Sequence, residues 1–288
     1  MQPKAVLLDL DNTLYDWSAY FSRSFRATAF HLSQLADLSF DTIIHEASDV
    51  FRRHKTVEYG FWIQELPSLV HRHPEMRGHE LARLYWPAVE TFKSIRREML
   101  VPYPGVVEGL ATLRAYGCTV VAVTDAMHWH SEHRLAAIGL TDFVDWLVAR
   151  PDYELPSHTD FDEVSSGSDL PIGPERFVGL PDGIRKPDPE VVRYIARSLR
   201  TNIKATVVVG DSLPKDIAMA QAAGAPDVWA AYGTAVAAED MDLLSSISDW
   251  SAADVEVARN PAQMRAELQP SHVAWNFHEV VSIVEQLT

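Results

Sequence analysis

The order of apolar and polar positions along the chain predicts an α/β core. Short apolar runs indicate buried strands at residues 4–10, 118–124, 143–149, 205–210 and 227–232. Amphipathic segments separate these runs, and three of the segments close at Gly117, Gly139 and Gly224. Helices that stop at glycine and lead into β-branched apolar runs are typical of βα units with a parallel sheet. We therefore expect an α/β fold with a doubly wound, Rossmann-like parallel sheet.

Residues 15–100 interrupt this pattern, because only helical spacing is found there. Apolar positions recur at helical intervals in three segments, at residues 18–36, 41–52 and 78–100. Asp41 is the expected N-cap of the second segment, and Pro87 is expected to bend or break the third. The predicted organisation is an α/β core at residues 1–14 and 101–288 with an all-helical insertion at residues 15–100.

Two stretches of the core fit the βα pattern less well. Residues 150–183 are rich in proline and acidic residues and are long for a connection between a strand and a helix. Because they follow a strand, they should begin at the carboxyl edge of the sheet, as a second lid or as extra strands over a site. Residues 235–270 are acidic and rich in small residues, and residues 272–287 then predict a helix.

Charge and cysteine content narrow the possible partners. Of the 288 residues, 40 are acidic and 25 basic, which gives a formal net charge of -15. Such a surface repels nucleic-acid phosphates and anionic lipids, so we expect no nucleic-acid and no membrane partner. No apolar run is long enough to span a bilayer, and the single Cys118 cannot form an intrachain disulfide. A soluble, cytoplasmic protein is expected.

Chemically active side chains follow several of the predicted strands or precede a helix. These residues are Asp9, Asp11, Thr124, Asp125, Lys186, Asp211 and Asp216. Asp9 and Asp11 taken alone could equally form an ordinary turn. The carboxyl ends of parallel strands meet at one edge, however, and carboxylates gathered there need a cation. A divalent cation that prefers oxygen ligands, such as Mg2+, would satisfy this need.

Four motifs in chain order carry a resemblance to a known family. They are DLDNTL, VTD, the lysine of RKPDP, and GDSLPKD. Together they resemble the haloacid dehalogenase (HAD) superfamily, in particular its capped phosphatase branch. The resemblance covers the first strand and roughly residues 103–150 and 184–233. Residues 15–100 occupy the place where that superfamily inserts a helical cap.

The resemblance implies a role for each motif residue. Asp9 would be the nucleophile that becomes an aspartyl-phosphate, and Asp11 the general acid and base. Thr124 and Asp125 would belong to the phosphate-binding site together with Lys186. At position 125 asparagine is more usual, and Asp125 is expected to order a helix start at Ala126. The implied Mg2+ ligands are Asp9, the backbone carbonyl of Asp11, and Asp211, while Asp216 would bind the ion through a water molecule or would contact one of the ligands.

The function implied is that of a Mg2+-dependent phosphomonoesterase acting on a small phosphorylated metabolite. Asp11 disfavours a dehalogenase, because a halide leaves without a proton whereas an alkoxide needs one. Two alternatives stay open: a sugar-phosphate mutase with the same aspartates, and a non-catalytic binding or regulatory protein that kept the fold.

Two further groups of residues are expected to have ordinary structural roles. In the loop HKTVEYGFW, Phe61 and Trp62 are expected to pack inside the insertion, although the loop could instead contact the leaving group. His128, His130 and His133 lack the spacing of a zinc pair on one helix face, and we expect them at the surface or facing the insertion.

Overall fold

The computed structural model describes residues 4–76, 78–152, 176–180, 184–248 and 266–287. Its centre is a sheet whose neighbouring strands all pair in parallel, in the order β4-β3-β2-β1-β5-β6-β7. The strands are β1 Ala5–Leu8, β2 Thr119–Met127, β3 Trp146–Arg150, β4 Phe177–Gly179, β5 Thr206–Gly210, β6 Asp227–Ala230 and β7 His272–Ala274. Strand β1 lies in the middle, between β2 and β5, so its carboxyl end is flanked by strands on both sides.

Helices surround the sheet in the described ranges. They are α1 Trp17–Ala36, α2 Phe40–His54, α3 Pro67–Arg72, α4 Gly78–Leu84, α5 Trp86–Met99, α6 Val106–Ala115, α7 His128–Ala137, α8 Glu190–Ser198, α9 Ala218–Ala223, α10 Ala238–Ile247 and α11 Phe277–Gln286. Alternate β1 residues enter two different apolar clusters, because successive side chains of a strand point to opposite faces. Val6 and Leu8 pack in the cluster that holds α6 and α11, while Ala5 and Leu7 pack in the cluster that holds α8 and α9. The doubly wound α/β architecture is confirmed.

Helices α1–α5 lie between β1 and α6 in the chain and contain a group of packed aromatic side chains. The Phe25 ring lies 5.5 Å from the Phe51 ring and 5.3 Å from the Trp62 ring, measured between centroids. All three side chains are buried, which confirms the packing role expected for Trp62. Pro87 stands in the first turn of α5, where proline is tolerated, and separates α5 from α4 as the sequence predicts.

Helix α10 packs against the helical insertion. Its Asp240 accepts a 2.6 Å hydrogen bond from Ser22 of α1, and the carbonyl of Glu239 accepts one of 2.7 Å from Arg26. Ser48 of α2 donates a 2.9 Å hydrogen bond to the carbonyl of Ser246. The chain that follows β6 therefore returns to α1 and α2.

The N-cap expected at Asp41 is wrong, because α2 starts at Phe40 and Ser39 caps it. Two further element boundaries are also wrong. Residues 272–274 form the edge strand β7, and α11 starts only at Phe277, where the Asn276 side chain caps it. Strand β2 runs on to Met127 and α7 starts at His128, so no helix begins at Ala126. In both places a short extended segment directly precedes a helix, and helical periodicity in the sequence extends backwards over it.

The stretch at 150–183 is only partly described. Residues 177–179 form β4, an extra strand beside β3, while residues 153–175 and 181–183 lie outside the described ranges. Residues 249–265 of the stretch at 235–270 also lie outside them. Among the described residues, no helix has the length and apolar character needed to cross a bilayer.

Candidate active site

Four of the predicted site residues meet at the carboxyl edge of the sheet. Asp9 follows β1, Asp211 follows β5, Lys186 precedes α8, and Asp216 lies in a π-helical turn before α9. The Lys186 ammonium lies 2.5 Å from Asp9 Oδ1 and 2.6 Å from Asp216 Oδ1. Lys186 is only 5% exposed, so this lysine is a buried cation shared by two buried carboxylates.

The carboxylates remain crowded in spite of the lysine. Oxygens of Asp9, Asp211 and Asp216 lie within 4.8 Å of one another. Burial raises the pKa of Asp9 from 3.8 to about 7, against the opposing effect of Lys186. Burial, followed by repulsion from Asp9 and Asp216, also raises the pKa of Asp211. Burial lowers the pKa of Lys186, but its carboxylate neighbours outweigh burial and raise it overall. The site therefore favours additional positive charge.

Two glycines allow chain segments of the site to approach each other closely. A Cβ atom at Gly210 would lie 2.3 Å from Asp216 Cγ. A Cβ atom at Gly233 would lie 1.7 Å from the carbonyl oxygen of Asn12 and 3.0 Å from Asp211 Cβ. Real Cβ atoms do not approach other atoms so closely, so glycine is required where the loop after β6 meets the loop after β1.

Threonine and tyrosine hydroxyls connect these loops. Thr13 Oγ1 donates to Asp9 Oδ2 at 3.4 Å and accepts a 3.1 Å hydrogen bond from the backbone N–H of Asp211. Tyr232 donates a 2.8 Å hydrogen bond to the carbonyl of Thr13, and Trp229 donates one of 2.7 Å to the carbonyl of Asp211. The nucleophile candidate and the metal-ligand candidate are thus fixed relative to each other.

Asp11 lies in a separate network of buried polar groups. Asp11 Oδ1 accepts hydrogen bonds from Tyr15 Oη at 2.7 Å and from Arg134 Nη1 at 2.6 Å. The second nitrogen of the guanidinium, Nη2, donates to Glu58 Oε1, which also accepts a 2.9 Å hydrogen bond from Trp17 Nε1. Burial raises the pKa of Asp11, and Arg134 limits the rise. Burial acts in the same direction on Glu58, but Arg134 and His130 outweigh it and lower the pKa of Glu58 to about 2.

Thr124 and Asp125 lie in β2 between Val123 and Met127, where the pairing of β2 with β3 shifts register. Thr124 is buried, and its Oγ1 accepts a 3.0 Å hydrogen bond from the N–H of Ala126. The Asp125 carboxylate lies 3.0 Å from Lys215 Nζ and contributes to the raised pKa of Lys186. The carboxylate of Asp125 therefore holds a second lysine beside the site instead of ordering a helix start.

Sequence reasoning missed Arg134, Glu58 and Tyr15. Glu58 lies inside the loop HKTVEYGFW, and Arg134 directly follows His133, so both were next to residues already singled out. The two residues are 76 positions apart in the chain. No local periodicity connects them, because the contact depends on how the insertion sits on the core.

The fold and the site together define a doubly wound α/β protein with a cluster of acidic side chains at the carboxyl edge of its sheet. A family model described as haloacid dehalogenase-like hydrolase matches residues 3–224, and the chain belongs to that family. The resemblance found in the four motifs is confirmed. The chain is accordingly an enzyme of the HAD-like hydrolase class, which removes the alternative of a non-catalytic protein.

Several known proteins are similar to the chain. It is 24% identical to the glyceraldehyde 3-phosphate phosphatase of Methanocaldococcus jannaschii over 224 residues, which cover 77% of this chain and 82% of that relative. It is 26% identical to the plasmid-encoded phosphoglycolate phosphatase of Cupriavidus necator over 238 residues, 80% of this chain and 82% of the relative. The solved 2-haloacid dehalogenase of Pseudomonas syringae pv. Tomato superposes with a TM-score of 0.55 at 18% identity, covering 100% of both chains. That last likeness shows the fold alone.

Proposed function

We propose that the protein is a phosphomonoesterase that hydrolyses a small phosphorylated metabolite through an aspartyl-phosphate on Asp9. The observation that carries the proposal is the pair of aspartates in different environments. Asp9 contacts the buried Lys186, whereas Asp11, two residues on, is bonded to Tyr15 and Arg134. One carboxylate is thereby suited to attack and the other to proton transfer. The names of the phosphatase relatives support the same reaction.

The residues present fit a Mg2+ ion. Asp9, Asp211 and Asp216 offer only oxygen donors, which is the ligand type Mg2+ prefers, and their spacing allows them to share one ion. The raised pKa values of Asp9 and Asp211 indicate that the folded site lacks positive charge without such an ion. We propose these carboxylates and the backbone carbonyl of Asp11 as the ligand set. Bound Mg2+ would neutralise charge on the phosphoryl oxygens.

The proposed reaction assigns distinct work to three side chains. An Asp9 carboxylate oxygen attacks phosphorus and forms the Asp9 O–P bond as the ester P–O bond breaks. Asp11 gives its proton to the leaving oxygen, which keeps the bonding electron pair. In the second half, Asp11 takes a proton from the water that attacks the aspartyl-phosphate and releases inorganic phosphate. Lys186 stabilises the negative charge that gathers beside Asp9.

Thr124 and Asp125 are proposed to hold the phosphoryl group. Thr124 lies in β2 near the carboxyl edge of the sheet, and its hydroxyl is a donor of the kind that phosphoryl oxygens accept. Asp125 would contribute through its backbone and through Lys215, whose ammonium it holds at 3.0 Å. A negative carboxylate facing phosphate directly would be repelled, so its pairing with Lys215 is consistent with this role.

The helical insertion at residues 15–100 is proposed to act as a cap on the core formed by residues 1–14 and 101–288. Trp17 and Glu58 of the insertion are joined through Arg134 to the neighbourhood of Asp11. A substrate would therefore bind between the insertion and the sheet edge, which suits a small ester better than a macromolecule. The relatives named for glyceraldehyde 3-phosphate and phosphoglycolate are consistent with a small substrate.

The proposal is tested with a panel of phosphorylated metabolites, measuring released inorganic phosphate with Mg2+ and with EDTA. We expect turnover only with Mg2+, no turnover for Asp9→Asn, and wild-type turnover for the control Asp142→Asn, whose side chain is exposed. Phosphate release by Asp9→Asn at the wild-type rate would refute the covalent route. Conversion of a sugar phosphate to its isomer without phosphate release would identify a mutase instead.

A cytoplasmic location is part of the proposal. The only cysteine of the sequence, Cys118, is buried and cannot form an intrachain disulfide, and burial raises the pKa of its thiol. Such a protein needs no oxidising compartment. Fractionation of the native host, with the protein followed by antibody, would test the location.

A further inference from the structure

The two carboxylate oxygens of Asp11 have different surroundings. Both hydrogen bonds to this side chain end on Oδ1, the one from Tyr15 at 2.7 Å and the one from Arg134 at 2.6 Å. Within the described ranges of the chain, Oδ2 accepts no hydrogen bond. A guanidinium does not give up its proton in proteins, so Oδ1 acts as an acceptor as long as the contact with Arg134 holds. Oδ2 is therefore the Asp11 oxygen through which the proposed proton transfer would run.

We propose that Arg134 is a positioning residue that keeps Asp11 oriented with Oδ2 directed at the leaving oxygen. Because Glu58 pairs with the same guanidinium, the orientation of Arg134 depends on whether the loop that carries Glu58 lies against the core. The inference rests on the proposed function, in which Asp11 is the general acid. It adds residues that no motif of the resemblance contains.

Arg134 is suited to this role by its rigidity. It is only 2% exposed, and its planar fork places Nη1 on Asp11 and Nη2 on Glu58 at the same time. The Tyr20 ring lies below it, 5.9 Å from the guanidinium carbon to the ring centroid. A buried guanidinium with two carboxylate partners has one favoured orientation, and it transmits that orientation to each partner.

The network joins two separate parts of the chain. Arg134 belongs to α7 of the core, while Glu58 lies in the loop between α2 and the short helix Trp62–Glu65 of the insertion. Trp17, at the start of α1, donates a 2.9 Å hydrogen bond from Nε1 to Glu58 Oε1. If the loop moves away, Arg134 loses one of its two anchors and Asp11 loses a fixed partner. The acid is thus fully positioned only when the insertion is closed.

The test compares esters with good and poor leaving groups. A nitrophenyl ester needs little proton donation when its P–O bond breaks, whereas an alkyl ester depends on it, so a mispositioned acid slows aspartyl-phosphate formation mainly from the alkyl ester. Hydrolysis of the aspartyl-phosphate, in which Asp11 is the base, is common to both esters, so the comparison uses kcat/KM, which reports the first step. For Arg134→Lys, which keeps the charge but removes the fork, we expect kcat/KM with alkyl phosphates to fall by about 10-fold or more. We expect kcat/KM with nitrophenyl phosphate to stay within about 2-fold. Glu58→Gln should give the same pattern with a smaller loss.

The matched control is Arg114→Lys, since Arg114 pairs with Asp145 on the core and touches none of the proposed machinery. Circular dichroism and urea unfolding check that each variant folds. If Arg134→Lys is unfolded, Glu58→Gln carries the test, because it leaves Arg134 and Asp11 paired. An equal loss of kcat/KM for both ester types in the folded variant, as a general rise in KM would give, or no loss with either ester, would overturn the positioning role.

Asp11→Asn in the same series distinguishes a failure of the positioning role of Arg134 from a failure of the proposed function. If Asp11→Asn shows the leaving-group dependence and Arg134→Lys does not, the role of Arg134 is wrong and the proposed function stands. If the wild-type enzyme with Mg2+ releases phosphate from no ester, the proposed function fails and the inference fails with it. Selective slowing of alkyl esters by both variants supports both.

Discussion

Replacing the proposed nucleophile should stabilise the protein when no divalent cation is present. Asp9 is buried at the sheet edge with Asp211 and Asp216, and burial raises its pKa from 3.8 to about 7. The ionised carboxylate is therefore less favourable in the folded protein than in the unfolded chain. Asp9→Asn keeps the size of the side chain and removes that charge.

The magnitude follows from the change in pKa. At 1.36 kcal/mol per pKa unit, a rise from 3.8 to about 7 corresponds to about 4 kcal/mol. Because the folded-state pKa is the higher one, the stability associated with protonated Asp9 is fully present below pH 3.8. It is lost as the pH rises and is gone above about pH 7. Wild type and Asp9→Asn should thus be similar near pH 4 and differ most near pH 8.

Urea unfolding in EDTA at a series of pH values measures this difference, with far-UV circular dichroism as the signal. We expect Asp9→Asn to gain a few kcal/mol over wild type between pH 4 and pH 8, up to about 4 kcal/mol. Asp142→Asn, at an exposed position, should follow wild type at every pH. A constant difference across the pH range, or a variant less stable than wild type at pH 8, would show that buried charge on Asp9 is not the cause.

Three further changes test the site. Mg2+ should raise the Tm of wild type at pH 8 more than the Tm of Asp9→Asn, because the ion binds the folded protein and the variant has lost one of the proposed ligands. Equal shifts in Tm would count against Asp9 as a ligand. Lys186→Met leaves the carboxylates of Asp9 and Asp216 without their shared lysine. The free energy of unfolding, measured in urea at pH 7, should therefore fall by about 3–5 kcal/mol, and phosphate release should be abolished. Gly233→Ala, whose Cβ would meet the Asn12 carbonyl at 1.7 Å, should lower kcat sharply; an unchanged kcat would contradict the close approach of these loops.

The meeting of the acidic residues could be predicted because it depends on topology. Parallel strands place their carboxyl ends on one edge, and Asp9 and Asp211 each follow such a strand. Lys186 precedes a predicted helix start, which places it at the same edge, and its 2.5 Å contact with Asp9 agrees with that prediction. For these residues a correct strand assignment was enough.

The network around Asp11 could not be predicted in the same way. The contact between Arg134 and Glu58 depends on the angle at which the insertion lies on the core, and apolar spacing does not encode that angle. Strand β7 was missed for a different reason. It has only three residues, His272–Ala274, and its apolar positions merge with the helical pattern of α11. Short extended segments next to helices give too few positions for a period of two to be recognised.

The hydrogen bonds of α10 to α1 and α2 have a consequence for engineering chimeras. Ser22, Arg26 and Ser48 all bond to residues of α10, which lies far downstream in the chain. A graft of residues 15–100 onto another scaffold would leave Asp240 behind and strip α1 of its buried partner. A transplantable module must therefore be assembled from two discontinuous pieces of the gene, the second encoding residues 238–247.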